Sequence, residues 1–283
     1  MRIFRRLITV LFIVSLALYL GVSYRQSKNT DTDAPEITSD VEMLELSVTE
    51  EEDALLAGLS AFDEKDGDLT ADIMLRETSF FTEPGEFTAE YVVFDSDGNS
   101  ASFSRKVCYT DYTSPEFSVG GSLYFVSGTS LDFMDSITAS DVLDGDLSER
   151  IDLISGTVDT DTVGQYPVTI AVTNSYGDRT EAETYVIIGD SQVQKGVILT
   201  DSFVYLKAGD KFDASDYVSA YVDSYGEELE IEDMQLYRDG YLVGSISTSG
   251  KVDTGTAGSY QVEYTWSGAE ESESVWLTVI VRE

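Results

Sequence analysis

Three stretches of the chain share one pattern of apolar and polar positions. Each begins with a glycine, has an aromatic residue two positions later, and then alternates apolar with polar residues; the stretches are 85–93, 164–170 and 258–266. Successive side chains of a β-strand point to opposite faces, so a period of two is typical of a strand that buries one face. The pattern therefore predicts three copies of one half-buried strand, and hence three copies of one β unit.

Other sequence markers recur at nearly constant spacing. Pro35 and Pro115 are 80 positions apart, and the Asp-Gly-Asp element at 66–68 recurs 78 positions later at 144–146. Such regular offsets indicate an internal repeat of about 80 residues. We therefore predict three β domains, at residues 33–112, 113–190 and 191–283. The third domain is longer, and residues 223–228 replace its Asp-Gly-Asp element.

The predicted fold class is all-β, with tandem immunoglobulin-like β-sandwich domains after one N-terminal transmembrane helix. Short segments rich in Val, Ile, Thr, Tyr and Phe, separated by Gly, Asp, Asn and Ser, support this prediction. The Gly-x-Tyr-x-Val element resembles the tyrosine corner of immunoglobulin-like sandwiches, in which a Tyr stands two residues before a disulfide Cys. Here Ala89, Val168 and Val262 occupy the Cys position. The resemblance thus implies domains held together by apolar cores, and we expect neighbouring domains to pack together, because a domain of about 80 residues buries only about 60–65% of its chain surface.

The first two units carry the same series of short motifs in the same order. An Asp-x-x-Asp-Gly-Asp-Leu element comes first, a Gly-x-aromatic strand follows, and a turn containing a second Gly comes last. The matching residues are Asp63, Asp66, Gly67, Asp68, Gly85, Phe87, Tyr91, Asp95, Gly98 and Asn99, and then Asp141, Asp144, Gly145, Asp146, Gly164, Tyr166 and Gly177. This series resembles the bacterial Ig-like repeat of crystal-toxin-type and cell-surface proteins, the DUF5011 or Cry22Aa-like domain. The resemblance covers residues 33–190 well and 191–283 loosely. It implies a β-sandwich on the bacterial surface, a role in adhesion or spacing, and no known catalysis.

The charge of the chain excludes several classes of function. The sequence has 53 acidic and 17 basic residues, and five of the basic ones lie within residues 1–30. The other 253 residues carry 12 basic and 53 acidic side chains, a net charge of −41. A surface this acidic repels nucleic acid and attracts cations and basic partners. The chain has no histidine, which excludes His-based catalysis and His metal ligands, and its one cysteine, Cys108, excludes an intrachain disulfide.

The N-terminal segment has the composition of a membrane span. Arg2, Arg5 and Arg6 precede Leu7–Tyr24, an 18-residue run without charge. As a helix this run is about 27 Å long, close to the hydrocarbon thickness of a bilayer. We predict a cytoplasmic stub (1–6), a transmembrane signal anchor (7–24) and a flexible linker (25–32), with the bulk of the chain outside the cell membrane. The alternative is a cleaved signal peptide, for which Gly21 and Ser23 have the right spacing, but the run is long for such a peptide.

The aspartates of the two Asp-x-x-Asp-Gly-Asp elements are the candidate metal ligands. They are Asp63, Asp66 and Asp68 in the first unit and Asp141, Asp144 and Asp146 in the second. Calcium takes six to eight oxygen ligands at about 2.3–2.6 Å, which clustered carboxylates supply. The alternative is structural, because Asp-Gly pairs form tight turns and Asp side chains cap their own backbone. The spacing does not fit an EF-hand, so we favour turn chemistry; no cofactor is predicted, and calcium is the one candidate.

These observations favour a non-catalytic, membrane-anchored bacterial surface protein whose domains serve adhesion, interaction or spacing. Its partner is an unidentified surface or envelope protein or glycan. The third domain, farthest along the chain from the anchor, is the expected contact surface. Four tyrosines are candidates for a sugar- or peptide-binding surface, with packing as the alternative use: Tyr221, Tyr225, Tyr237 and Tyr241. Two other functions stay open, a calcium-dependent carbohydrate- or protein-binding module and an accessory part of an envelope hydrolase.

Overall fold

The structure, a computed structural model, describes residues 2–29, 32–129, 132–267 and 274–282. The chain divides into two compact units, 1–111 and 112–283. Within the described ranges there is one α-helix, α1 (Arg2–Asn29), and the rest is built from strands, turns and short 3₁₀ helices. The fold class is all-β beyond this helix, as predicted.

Helix α1 contains the predicted apolar run. Residues Phe4–Tyr24 have a mean hydropathy of 2.2 and are not buried, so their length and composition suit a membrane span and a signal sequence alike. The helix continues beyond Tyr24, and residues 25–29 of the predicted flexible linker are helical. The reason is local, since Arg25, Gln26 and Lys28 favour helix and no Gly or Pro interrupts them. Residues 30 and 31 of that linker lie outside the described residues.

Residues 36–109 form a sandwich of two sheets. The strands are β1 (Glu36–Ser39), β2 (Met43–Leu46), β3 (Leu59–Asp63), β4 (Gly67–Asp68), β5 (Met74–Thr78), β6 (Glu86–Phe94) and β7 (Ser100–Tyr109), with 3₁₀ helices at Glu52–Leu56 and Thr70–Asp72. One sheet has the order β1-β3-β4 and the other β2-β7-β6-β5, with β2 parallel to β7. The alternating residues Phe87, Ala89, Tyr91 and Val93 of β6 fill the core, as their period predicts.

A positively charged side chain, that of Arg105, is buried inside this first sandwich. Arg105 on β7 is 2% exposed, and its guanidinium donates to the carbonyl oxygens of Ala57 (2.7 Å) and Leu55 (2.8 Å). The hydroxyl of Tyr91 donates to the same Leu55 oxygen at 2.7 Å. These carbonyls end the 3₁₀ helix Glu52–Leu56, where backbone oxygens lack partners within the helix. Arg105 therefore holds this short helix against the core.

Residues 116–189 form a second sandwich with the same plan. The strands are β8 (Glu116–Ser118), β9 (Leu123–Val126), β10 (Thr138–Asp141), β11 (Gly145–Asp146), β12 (Asp152–Ser155), β13 (Gly164–Thr173) and β14 (Arg179–Gly189), with 3₁₀ helices at Phe133–Ser136 and Ser148–Arg150. The sheets have the orders β11-β10-β8 and β12-β13-β14-β9. Strand β9 is parallel to β14, as β2 is to β7. The structure thus repeats the first sandwich strand for strand.

The third sandwich, residues 196–282, follows this plan with an addition. The strands are β15 (Gly196–Leu199), β16 (Phe203–Lys207), β17 (Val218–Val222), β18 (Glu230–Glu232), β19 (Gln235–Arg238), β20 (Tyr241–Ser249), β21 (Gly258–Ser267) and β22 (Ser274–Arg282), with a 3₁₀ helix at Ala214–Tyr217. Its sheets have the orders β15-β17 and β16-β22-β21-β20-β19-β18. The two added strands, β18 and β19, account for the greater length of this unit.

The predicted resemblance to a tyrosine corner is confirmed in the second and third sandwiches. The hydroxyl of Tyr166 donates to the carbonyl of Thr162, and that of Tyr260 to the carbonyl of Thr256, each at 2.8 Å and four residues upstream. The first sandwich has Phe87 at this position and lacks the hydroxyl. The residues at the disulfide position are buried in all three sandwiches: Ala89, Val168 and Val262.

The second and third sandwiches pack side by side through the outer faces of β14 and β22. The rings of Tyr185 and Trp276 stack with centroids 4.9 Å apart and planes 16° apart. Glu183, two residues before Tyr185 on β14, accepts at its carbonyl a hydrogen bond from Oγ1 of Thr278, two residues after Trp276 on β22. The contacts run in opposite directions along the two strands, so β14 and β22 lie antiparallel across the junction.

The end of the third sandwich therefore returns to the start of the second. Arg282 donates to Glu116 Oε1 (2.8 Å) and to the Pro115 carbonyl (2.7 Å), and its guanidinium lies 4.5 Å from the ring centroid of Tyr205. Phe203 and Ile280 of the third sandwich belong to the hydrophobic core of the second. The third sandwich thus lies against the second, although each sandwich also has a hydrophobic core of its own. The expected packing of neighbouring domains is confirmed here.

We predict that Arg282→Ala lowers the free energy of unfolding by about 2–4 kcal/mol, because it removes two charge-assisted hydrogen bonds and a cation–π contact. Arg282→Lys keeps the positive charge but lacks the planar guanidinium, so it should lower the free energy of unfolding by an intermediate amount. Urea unfolding of the full chain in detergent measures both.

The matched control is Arg179→Ala. Arg179 pairs with Glu181 at the surface, where both side chains are more than 40% exposed. Such a pair contributes about 0–1 kcal/mol. If Arg282→Ala costs no more than Arg179→Ala, the junction does not depend on Arg282.

Candidate functional site

The first aspartate of each candidate metal element closes its own turn. Asp63 Oδ1 accepts from the backbone N–H groups of Lys65 (2.8 Å) and Asp66 (2.9 Å). Asp141 Oδ1 accepts from the corresponding groups of Leu143 (3.0 Å) and Asp144 (2.6 Å). These are Asx turns, and they let the chain reverse between β3 and β4 and between β10 and β11.

The second aspartate joins two loops. The carboxylate of Asp66 accepts from both the backbone N–H (2.9 Å) and the hydroxyl (2.8 Å) of Ser96. Asp144 accepts from the same two groups of Ser175, each at 2.7 Å. The loop with the Asp-Gly-Asp element is thereby clamped to the β6–β7 turn or the β13–β14 turn. Sequence reasoning missed this clamp, although a serine follows Asp95 and Asn174 at the same place in each copy.

The third aspartate stands at the start of a 3₁₀ helix. Asp68 Oδ1 accepts from the N–H of Thr70 (2.9 Å), and Asp146 Oδ1 from the N–H of Ser148 (3.0 Å). Hydrogen bonds from Thr70 lower the pKa of Asp68, and those from Ser148 lower the pKa of Asp146. Both carboxylates are therefore held in the ionised form that accepts the hydrogen bonds.

All six candidate ligands thus have protein donors, which agrees with the structural interpretation. Their oxygen chemistry suits calcium. In the part of the chain that the structure describes, however, no three Asp, Glu or Cys side chains are grouped so as to hold a metal ion. Calcium binding stays a prediction.

The third sandwich keeps the first aspartate of the element. The backbone hydrogen bond Leu229 N–H to Tyr221 O, at 3.0 Å, corresponds to Leu147 N–H to Ala139 O in the second sandwich, at 2.7 Å. This correspondence places Asp223 where Asp141 stands. Asp223 Oδ1 accepts from the N–H groups of Tyr225 (2.8 Å) and Glu227 (2.9 Å), and Oδ2 pairs with Arg238. Asp223 therefore keeps the turn role of the first aspartate and in addition pairs with Arg238 of β19.

The four candidate tyrosines do not form one surface. Tyr225 and Tyr241 are 83% and 76% exposed, whereas Tyr221 is 4% exposed and packs edge-on against Trp266 at 5.8 Å between ring centroids. Tyr237 is half-buried and donates to Gln235 Oε1 at 2.7 Å. Packing is thus the use of Tyr221, and the exposed candidates reduce to Tyr225 and Tyr241.

Cys108 is not placed for nucleophilic chemistry. Burial raises the pKa of its thiol, and the negative charges of Glu86 and Glu45 raise it further. The reactive form of cysteine is the thiolate, which a raised pKa disfavours. Cys108 therefore serves packing in β7 rather than nucleophilic chemistry.

Comparison with known proteins shows that part of the chain matches a described domain family. Residues 122–188, within the second sandwich, match the model of the bacterial surface protein Ig-like domain. The pesticidal crystal protein Cry22Aa of Bacillus thuringiensis is 29% identical over 168 residues, which are 54% of this chain and 23% of that protein. The chain therefore spans about a quarter of the length of this relative. The similarity agrees with the resemblance inferred from the motifs.

Two solved structures are similar at low identity. The CBM51-2 and INT domains of Clostridium perfringens ZmpB, solved in complex with GlcNAc, are 22% identical, with a TM-score of 0.23, over 49% of this chain and 29% of that one. The lipoprotein BT2262 of Bacteroides thetaiotaomicron is 14% identical, with a TM-score of 0.21, over 86% of this chain and 98% of that one.

The calcium hypothesis predicts a rise in melting temperature with calcium, and the turn hypothesis predicts none. Because each carboxylate already has a protein donor, we expect no rise on adding about 5 mM calcium, several times the Kd of weak extracellular sites. Differential scanning calorimetry in calcium and in chelator measures this. A rise that Asp66→Asn and Asp144→Asn together abolish would instead assign calcium to these turns.

The clamp at Asp144 predicts a stability that depends on pH. Burial opposes ionisation of Asp144, but the hydrogen bonds from Ser175 and the charge of Arg150 outweigh it and hold the pKa below the ordinary value of 3.8. A lowered pKa in the folded state stabilises the protein above the unfolded pKa, and this stabilisation is lost as the pH falls through the folded pKa. At pH 7 Asp144→Ala should cost about 1–3 kcal/mol, and the difference from the native chain should shrink below about pH 4.

Two control variants accompany this measurement. Asp144→Asn keeps one acceptor oxygen, so its loss of stability at pH 7 should be smaller than that of Asp144→Ala. Asp152→Ala changes an exposed aspartate of β12 and should shift stability by less than about 0.5 kcal/mol. A loss for Asp144→Ala that is the same at pH 3 and pH 7 would contradict the ionised clamp.

Proposed function

We propose that the chain is a non-catalytic, membrane-anchored surface protein of a bacterium. Its Ig-like sandwiches act as an interaction, adhesion or spacer module outside the membrane. The observation that carries the proposal is the charge-free apolar run of α1, with Arg2, Arg5 and Arg6 before it and strongly acidic sandwiches after it.

The charge distribution supports this orientation. Arginines that flank an apolar helix favour the cytoplasmic side. The 53 acidic residues of the rest of the chain contribute little to this orientation, but outside the membrane they keep the sandwiches soluble and away from anionic lipid. The match of residues 122–188 to a bacterial surface domain supports the same location.

The arrangement of the carboxylates supports a non-catalytic role. The six aspartates singled out by their motif hold backbone N–H groups and serine hydroxyls, so their chemistry serves the loops. The sandwiches are then rigid carriers of a surface, and a partner would be an envelope protein or a glycan.

Fractionation of the native host tests the anchor. We expect the full chain in the membrane fraction, released by detergent and retained at alkaline pH, with Met1 at its N-terminus apart from routine processing. Protease added to intact cells should degrade the sandwiches. A soluble form that begins near residue 24 would show a cleaved signal peptide and contradict the anchor.

An internal variant checks that the apolar run is responsible. Replacing Leu11 and Leu16 with Arg should prevent stable membrane insertion, because each charge at the centre of a span costs about 2.5–3.5 kcal/mol. Replacing the same two residues with Ala should leave the protein in the membrane.

A further inference from the structure

The unit 112–283 has a cleft at the end remote from its first residues. Strand β14 begins beside Pro115, where the hydroxyl of Thr180 donates to the Pro115 carbonyl, and it ends at Gly189, which lines the cleft. Eleven residues of strand span about 35 Å, so the cleft and Pro115 lie at opposite ends of the unit. The cleft has a volume of about 730 Å³ and is formed by the second and third sandwiches together.

Two glycines bring aromatic rings close to the backbone of this cleft. Gly196 has φ +85°, and a Cβ there would lie 2.2 Å from the ring of Trp266. A Cβ on Gly189 would lie 2.0 Å from the hydroxyl of Tyr124. Trp266 and Tyr124 line the cleft with Tyr225, whose ring is 83% exposed. The cleft therefore offers aromatic surface, part of it freely accessible.

The charges that line the cleft cancel. Its described charged residues are two acids and two bases, Asp190, Asp223, Lys195 and Arg238. Arg238 forms an ion pair with Asp223, and Nζ of Lys195 lies 3.8 Å from Oδ1 of Asp190. On a chain with 53 acidic residues, a balance of charge among the described lining residues is an exception, and it suits an uncharged ligand.

Arg238 has hydrogen-bonding capacity beyond its pair. A guanidinium carries five N–H donors. Asp223 engages Nη2, and Nε is buried without a hydrogen-bond partner among the described residues, so only the exposed part of the side chain can meet a ligand. The side chain is 39% exposed. A ligand with hydroxyl oxygens can therefore accept hydrogen bonds from a guanidinium that the carboxylate fixes in place.

We propose that this cleft binds a short, uncharged saccharide. A sugar ring has an apolar face that packs on an aromatic ring and a rim of hydroxyl groups that accept and donate hydrogen bonds. Tyr225 supplies the ring, and Arg238, which the buried Asp223 holds in place, supplies the donors. This proposal gives a ligand class to the interaction module proposed above and depends on that function. Its test uses purified protein, so its failure leaves the membrane location untouched.

The test is calorimetric titration of the full chain in detergent with uncharged tetrasaccharides of glucose and of N-acetylglucosamine. We expect a Kd between about 0.1 and 1 mM for at least one of them. Tyr225→Ala should weaken binding about tenfold, since an aromatic contact of this kind contributes a factor of that size. Arg238→Gln, which keeps a donor for Asp223, should also weaken binding about tenfold.

The matched control is Tyr241→Ala. Tyr241 is a comparably exposed tyrosine of the same sandwich that does not line the cleft. Its removal should leave the Kd unchanged. Because Tyr225 and Tyr241 are both exposed, neither variant should impair folding, and the melting temperature verifies this.

A second readout locates the ligand. The chain has two tryptophans, so Trp276→Phe leaves Trp266, in the cleft, as the sole indole fluorophore. Binding of the saccharide should change its emission. No heat and no emission change up to about 10 mM of either tetrasaccharide would overturn the proposal.

Three further outcomes would overturn it. One is equal loss of affinity in Tyr225→Ala and Tyr241→Ala. Another is tighter binding of a galacturonic acid tetramer, which would refute the preference for an uncharged ligand. The last is equal binding of an uncharged tetrapeptide with the same dependence on Tyr225, which would assign the cleft to peptides.

Discussion

A β ribbon with one apolar face is stable in water only when another layer of the protein packs against that face. A ribbon that is apolar on both faces needs a layer on each side. The hairpins β6–β7, β13–β14 and β21–β22 each cover one face with the smaller sheet of their own sandwich. Strand β22 also buries its other face, because Trp276, Thr278 and Ile280 pack against the second sandwich. This second burial fixes the arrangement of the unit 112–283. It places the third sandwich beside the second and, at the far end of both, creates the cleft.

The alternation of apolar residues predicted the long strands and their buried faces correctly. The same pattern also indicated that β14 and β22 are buried on both faces where the second and third sandwiches meet, but the prediction did not use this. Strand β22 is apolar from Val275 to Val281 except at Thr278, and β14 has an apolar run at 185–188, whereas β7 alternates Phe103 and Val107 with polar residues. Continuous runs are typical of strands buried on both faces. The period-two analysis considered one face of each strand at a time, so it did not predict that the other face of β22 is buried against the second sandwich.

The loops show where sequence reasoning stops. The turn role of Asp63 and Asp141 follows from local chemistry, since an aspartate before an Asp-Gly pair finds its donors within three residues. The clamps of Asp66 to Ser96 and of Asp144 to Ser175 join residues about 30 positions apart. Only the packing of the hairpins brings them together. The hydrogen bonds of Arg105 also join residues distant in sequence. Its carbonyl partners lie 48 and 50 positions earlier in the chain, at the C-terminal end of a helix of five residues.

The contact of Arg282 with Pro115 and Glu116 determines how this unit carries load. The start of β8 and the end of β22 lie at the same end of the unit. Tension applied between these two points would therefore load this contact and not the sheets. Tension between Pro115 and an object held in the cleft would instead act along β14. The hydrogen bonds to its neighbours would then be sheared together rather than opened one after another. Because the third sandwich folds back along the second, it adds little to the length of the unit 112–283.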